Sequence, residues 1–163
     1  MMLTRRTICQ GLVVTGVSLV AACARTPKPT PIAITLNADA GINPNERGEP
    51  SPIVVRVYEL KGVKAFNNAT YFDFADNDAK VLGADMISST EYELIPGKEQ
   101  KYDREISSEA TNVAVVAAFR NIQSAQWRDS IELDKGKKNE FVIYLTSQAV
   151  RIQKLRRRRF GVF

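Results

Sequence analysis

Apolar and polar residues alternate from Ile32 onward: Ile32, Ile34 and Leu36 are interleaved with Ala33, Thr35 and Asn37. A period of two sends successive side chains to opposite faces, as a half-buried strand requires. Residues 53–60 repeat the pattern, with Ile53, Val55 and Val57 on a core face and Val54, Arg56 and Tyr58 on an amphipathic one. Residues 89–95 and 101–106 flank Pro96-Gly97 and read as a hairpin, with Tyr92 and Leu94 alternating against Glu91 and Glu93. Residues 113–119 are continuously apolar, which predicts a central strand covered on both faces. Residues 127–133 and 140–145, separated by Asp134-Lys135-Gly136-Lys137-Lys138, read as a second hairpin with Phe141, Ile143 and Leu145 inward. An eighth short strand fits residues 149–152.

One segment departs from this period. Phe72, Ala75, Ala79 and Leu82 recur three and four apart, and Thr70 with Asp73 has the form of a helix start, so residues 70–82 are predicted to be helical. The apolar stripe is expected to pack on a sheet. Seven or eight short strands and one inserted helix define an all-β, two-sheet β-sandwich.

A chain of 163 residues with 44% apolar content suffices for one domain with its own core and is too short for two. The formal charge of +5 misleads about the body. Eight of the 23 basic residues lie at the two ends (Arg5, Arg6, Arg151, Lys154 and Arg156 through Arg159), leaving 15 against 18 acidic residues between positions 7 and 150. A mildly acidic body argues against a nucleic-acid-binding face, which needs clustered Lys and Arg beside stacking aromatics. Histidine is absent, which removes the usual general base, zinc ligand and pH switch together.

The first residues, MMLTRRTICQGLVVTGVSLVAAC, run from a charged start through an apolar stretch to small residues, the order of a secretory signal. The stretch from 8 to 20 is shorter than the ~20 apolar residues of a membrane-spanning helix. Val20-Ala21-Ala22-Cys23 resembles the bacterial lipobox, in which the cysteine sulfur takes a diacylglyceryl group and becomes the first residue of the mature chain. A lipid on Cys23 with two or more acyl chains would hold the protein firmly on a membrane. Ala24, in place of Asp, fits sorting to the outer membrane in the usual lipoprotein pattern. Thr4-Arg5-Arg6-Thr7-Ile8 leaves general secretory and twin-arginine export both open. The chain thus divides into a signal peptide at 1–22, a proline-bearing tether at 23–31, a sandwich at 32–152 and a basic tail at 153–163.

The run Gly41-Ile42-Asn43-Pro44-Asn45-Glu46-Arg47-Gly48-Glu49-Pro50-Ser51-Pro52, leading into Ile53-Val54-Val55-Arg56-Val57-Tyr58-Glu59-Leu60-Lys61, strongly resembles the TssJ family of outer-membrane lipoproteins of the type VI secretion system (the VasD and SciN group). Phe66, Tyr71-Phe72-Asp73-Phe74, Leu82-Gly83, Leu94-Ile95-Pro96-Gly97, Val115-Val116-Ala117-Ala118-Phe119-Arg120 and Ala125-Gln126-Trp127-Arg128 extend the resemblance over nearly the whole body. It implies a transthyretin-like sandwich with added helical elements, held under the outer membrane and bound to the periplasmic domain of the inner-membrane protein TssM, in a larger complex. It implies further that the partner meets the loop between the first two strands, here residues 39–52, with Asn43, Pro44, Asn45, Glu46, Arg47, Gly48 and Pro50 as the binding residues. Prolines that restrict such a loop before docking reduce the entropy lost on binding. The alternative is that the same residues only shape a long connection.

Two features depart from the family pattern. Glu59 stands where many relatives carry Gln, a change expected to be harmless, and the run from Lys154 to Arg159 has no family role. That tail reads as solvated, or as a contact for anionic groups at an envelope surface. Catalysis is not expected: Ser88, Ser89 and Thr90 have no histidine to activate them, and no phosphate-binding glycine loop is present. Asp73, Asp76 and Asp78 lack the third ligand and the glycine of a calcium loop. No cofactor or metal is expected beyond the lipid, and no nucleic acid as partner. A periplasmic carrier or binding module for a small ligand is the alternative function, since sandwiches can hold a pocket.

Overall fold

A computed structural model describes residues 28–155. Eight strands and two helices follow in order: β1 Thr30–Ala38, β2 Ile53–Leu60, α1 Lys64–Asn68, α2 Tyr71–Leu82, β3 Met86–Leu94, β4 Glu99–Ile106, β5 Asn112–Ala117, β6 Arg128–Glu132, β7 Asn139–Leu145 and β8 Val150–Lys154. They form two four-stranded sheets ordered β4-β1-β7-β8 and β3-β2-β5-β6. Every pairing within them is antiparallel except β1 with β7. The expected all-β two-sheet sandwich with a helical insertion is the architecture found.

The inward positions of the alternating strands make the main core. Ile32, Ile34 and Leu36 of β1 with Phe141, Ile143 and Leu145 of β7 meet Ile53, Val55 and Val57 of β2 with Val113, Val115 and Ala117 of β5. The continuous apolar run of β5 is explained by a second layer, since Ala114 and Val116 point outward beneath the helices. There they join Tyr58, Leu60, Phe66, Phe74 and Leu82 in a separate cluster. The Phe66 and Phe74 rings lie 5.3 Å apart, edge to face, and Trp127 closes on Phe74 at 5.9 Å, geometries that favour aromatic pairs.

Helix α2 begins where expected. Thr70 accepts from the Asp73 amide while the Asp73 carboxylate takes the Thr70 amide at 2.7 Å, a complete capping box. The expected stripe is wrong in detail: Phe74 and Leu82 are buried, whereas Phe72 is 66% exposed and Ala75 and Ala79 face solvent. The covered stripe is Tyr71, Phe74, Asp78 and Leu82, and an apolar pattern passes over it because its third position is a carboxylate; the helix also breaks at Asn77 (φ −164°, ψ 82°). The Asn77 side chain accepts from the Lys80 amide and restarts the helix, and Asp78 accepts from Arg56 Nη1 at 3.1 Å and from the Tyr58 hydroxyl at 2.9 Å. Helix α1, which no periodicity predicts in so short a piece, has its final carbonyls held by Arg128. The guanidinium donates to Phe66 O, Asn67 O and Ala69 O at 2.6–2.8 Å.

Both expected hairpins are corrected. β3 pairs with β2 and β4 with β1, so the Pro96-Gly97 turn arches from one sheet to the other. β6 pairs with β5 and β7 with β1 and β8, so residues 133–138 also cross between sheets. Asn139, 2% exposed, shapes that arch by accepting from the Asp134 amide and donating to the carbonyls of Asp134 and Lys137. Alternating strands joined by a short turn look the same in sequence whether they pair with each other or face each other across a core. Consecutive strands do pair directly in β5 with β6 and in β7 with β8.

Two boundaries also move. Thr30 and Pro31, expected in the tether, pair with Ile106 and Glu105 as the start of β1. Lys154, expected in the tail, ends β8 with its ammonium 2.9 Å from Asp134 Oδ2. Glu59 is buried on the inner face of β2, and Arg104 of β4 reaches across the sandwich to bring Nη2 2.6 Å from its carboxylate. A charge pair at that position links the two sheets, so Glu in place of Gln has a structural consequence.

Candidate functional site

Because strand directions alternate, the connections after β1, β3, β5 and β7 gather at one end of the sandwich. The chain enters β1 at the other end. Eight residue steps along β1 at about 3.3 Å each separate the two by about 26 Å.

The longest of the gathered connections is residues 39–52, and its own side chains build it. Asp39 opens a turn, its carboxylate accepting from the Gly41 amide at 3.2 Å and its carbonyl from the Ile42 amide. Ile42 is fully buried in the main core and anchors the loop. Asn43 follows in the left-handed region (φ 45°), which Asn tolerates better than most residues, and is 4% exposed. Its amide nitrogen donates to Pro52 O and its oxygen accepts from the Arg120 backbone N–H, both at 2.8 Å. One side chain therefore closes the base of the loop and ties it to the β5–β6 connection.

A second turn forms the tip. Asn45 Oδ1 accepts from the amides of Arg47 and Glu49 at 2.9 and 3.0 Å, and its Nδ2 donates to Glu49 Oε2 at 2.8 Å. The backbones of Asn45 and Glu49 are bonded, Gly48 N–H closes on Asn45 O, and Gly48 adopts φ 78°. Glu46, Arg47, Gly48 and Pro50 are left exposed on this scaffold, with Pro44 half-buried. The expected binding residues thus divide. Asn43 and Asn45 spend their polar atoms inside the loop, while Pro44, Glu46, Arg47, Gly48 and Pro50 present the surface.

Beside the loop lies an open depression of about 600 Å³. One wall is Asn43, Pro44, Asn45 and Glu46; the other is Phe119, Arg120, Asn121 and Ala125 from the β5–β6 connection, with Ser147 and Gln148 from the β7–β8 turn. These last six residues were not anticipated from the sequence as site residues, although strand parity alone places their loops beside residues 39–52. Arg120, Asn121, Ser147 and Gln148 are exposed, so the depression offers hydrogen-bonding groups of both kinds and a guanidinium.

The titratable groups elsewhere serve packing. Burial and then the bond to Asp78 push the Tyr58 phenol well above its ordinary range. Burial by itself would lower Arg56, but its bonds with Tyr58 and Glu91 and the charge of Asp78 outweigh it, and its pKa is raised. This trio pins α2 to β2, and the open depression that Arg56 and Asp78 line with Ser89 is formed by a chain without histidine to activate that hydroxyl. Of the three aspartates considered for calcium, Asp73 caps α2 and Asp78 joins the trio, and no group of three His, Cys, Asp or Glu among the described residues is placed to hold a metal. Cys23 lies outside the described residues, as do the signal segment and Arg156 through Arg159.

One end of the sandwich therefore carries a loop held by its own side chains beside a shallow polar groove. Residues 30–148 match the family described as type VI secretion lipoprotein, VasD, EvfM, TssJ, and the chain belongs to that family. The crystal structure of the type VI lipoprotein TssJ1 from Pseudomonas aeruginosa is 32% identical, with a TM-score of 0.76 over 79% of this chain and 98% of the other. A structure described as the type VI membrane complex is 24% identical (TM-score 0.65, 79% and 100% covered). One described as the C-terminal domain of TssM from EAEC is 22% identical (TM-score 0.64, 77% and 98% covered). These last two likenesses concern the fold alone. No curated protein matches the chain.

Proposed function

We propose that this protein is a non-catalytic anchor of a type VI secretion membrane complex: a lipid on Cys23 fixes it to the inner face of the outer membrane, and residues 39–52 hold the periplasmic domain of a TssM-like inner-membrane protein. The observation that carries this reading is the polarity of the sandwich. The tether enters at one end of β1 and the preformed loop stands about 26 Å away at the other, facing away from the surface to which a lipid would bind the chain. Family membership supports it. Enzymatic roles have no support in the arrangement of the described groups.

The loop suits this task because its shape is set before docking. Asn43 and Asn45 hold it by side-chain bonds, so Pro44, Glu46 and Arg47 meet a partner with little further ordering. The neighbouring wall of Phe119, Arg120 and Gln148 would widen the contact beyond the loop itself.

The test is binding of residues 24–163 to the periplasmic domain of the TssM-like protein from the same genome, by calorimetry, with Glu46→Lys and Arg47→Glu together as the surface variant. Binding that weakens tenfold or more while thermal unfolding stays unchanged supports the reading. Equal binding by the variant removes the loop from the interface. No binding by the folded parent would favour a small-ligand carrier, for which the 600 Å³ depression is the candidate site.

A further inference from the structure

The helices leave part of the outer face of the β3-β2-β5-β6 sheet open. Between the start of α2 and strands β2 and β5 lies a groove of about 40 Å³, lined by the buried Phe74 and Val116 and by Val54, Tyr71, Ala75 and Ala118. That volume takes little more than the end of one side chain, since a single water occupies about 30 Å³. Beside it Phe72 is 66% exposed, its ring 5.8 Å from that of Tyr71, and Val54 is 38% exposed. The core explains neither of them. Phe72 belongs to neither hydrophobic cluster, and Val54 points away from the one that Ile53 and Val55 enter.

On its other side the groove opens into charge. Arg56, Phe74 and Ala75 also line an open basin with Asp76, Asp78 and Glu91. One guanidinium there serves two carboxylates, Asp78 at 3.1 Å and Glu91 at 3.0 Å, while the exposed Asp76 enters no ion pair among the described residues. Glu93, two residues beyond Glu91 on the same face of β3, is exposed as well. The basin therefore keeps net negative charge.

The groove also adjoins the 39–52 loop. Val54 follows closely on Pro52, whose carbonyl is held by Asn43. The Ala118 amide donates to the Val54 carbonyl at 2.9 Å, and the next residue, Phe119, lines the depression beside the loop. The exposed residues of the loop and its depression are fewer than the roughly 20–30 per side of a stable interface of standard size. A stable contact centred on the loop thus extends past it, and this is a bordering face with exposed apolar side chains.

We propose that the groove is a second contact for the partner held by residues 39–52: it takes one apolar side chain of a partner segment against Phe72 and Val54, while a Lys or Arg beside that side chain meets Asp76 and Glu91. The inference rests on the partner reading of the loop. The sign of the neighbouring charge comes from the basin, because an acidic residue there would be repelled and a neutral one would leave Asp76 without a counter-charge.

The experiment titrates residues 24–163, which retain every residue of both hydrophobic clusters, into the periplasmic domain of the TssM-like protein from the same genome. The parent, Phe72→Ser and Asp76→Lys are compared at low and high salt. Both substitutions fall at exposed positions, and unchanged thermal unfolding verifies that the variants are folded. Support for the proposal is binding weakened about tenfold by Phe72→Ser at either salt concentration, and about fivefold by Asp76→Lys at low salt but less at high salt. Affinity equal to the parent's in both variants overturns it, and the loop reading then stands if Glu46→Lys with Arg47→Glu lowers affinity. Loss through Phe72→Ser without any effect of the loop pair supports the groove and removes the loop. Absence of binding by the folded parent overturns both. Dimerisation of the parent alone, abolished by Phe72→Ser, would assign the groove to a second copy and overturn the proposal.

Discussion

Replacing Asn43 by Ala removes the two bonds that close the base of the 39–52 loop. The Arg120 amide and the Pro52 carbonyl then lose their partner in a partly buried place where water replaces it incompletely. An unsatisfied group of this kind costs about 1–3 kcal/mol, and an Ala held at positive φ about 1 kcal/mol more, so a loss of about 2–4 kcal/mol is expected after partial relaxation. That is a large part of the 5–15 kcal/mol typical of a domain. Urea unfolding followed by tryptophan fluorescence measures it through Trp127. Asn43→Gly separates the two causes, because it loses the same bonds but is at ease at φ 45°. Partner affinity should fall with the Ala variant even though the Asn43 side chain is buried, because the loop and the β5–β6 connection are no longer held together. A change within 0.5 kcal/mol, or faster hydrogen exchange nowhere near Arg120, would refute the assignment of Asn43 as the tie.

Further outcomes follow from the same contacts. Cys23→Ser should leave a folded sandwich that fractionates with soluble protein and should abolish secretion; normal secretion by that variant would exclude the anchoring role. Glu59→Ala should destabilise by about 2–4 kcal/mol, since it leaves Arg104 facing the interior without its counter-charge, whereas Glu59→Gln should cost less because the amide can still accept a bond; equal losses would show that the ion pair is not what matters. Asp73 is held below its ordinary value of 3.8 by the bond from the Thr70 amide and then by the Thr70 hydroxyl. A lowered folded-state value means that its contribution is complete above pH 3.8 and is lost as pH falls through the folded value. Asp73→Asn should therefore show its full deficit near neutrality and converge on the parent in acid, and a deficit independent of pH would contradict the capping role. Thr70→Ala should cost about 1 kcal/mol in the same unfolding assay.

Strand identities were legible because alternation is enforced one residue at a time. Ile32, Ile34 and Leu36 must face a core wherever the strand sits, and Val113 through Ala117 must be covered on both sides. The Thr70–Asp73 box is likewise local, three residues apart and complete within one turn. The pairing of strands was not legible. Pro96-Gly97 and the Asp134–Lys138 stretch are short enough for hairpins, yet each arches between sheets, a choice made by which partner strand each edge finds. Phe72 and Phe74 are neighbours of equal apolarity, and the pull of Arg56 and Tyr58 on Asp78, one turn on from Phe74, decides which is buried.

The candidate site divides in the same way. Prolines and glycines in residues 39–52, and the family resemblance they carry, are properties of one contiguous segment and needed no coordinates. The division of labour within it did: Asn43 looks like any exposed loop amide until Arg120, 77 residues later, is brought to its oxygen. By itself the sequence determined an all-β sandwich of the type VI lipoprotein family, because period, capping and motif are short-range. Only the tertiary structure decided that Phe119, Arg120 and Gln148 share the groove of the loop, that Glu59 answers Arg104 across the core, and that Asp134 meets Lys154 at the end of β8. Those relations join segments far apart in the chain, and the packing of two sheets face to face is what creates them.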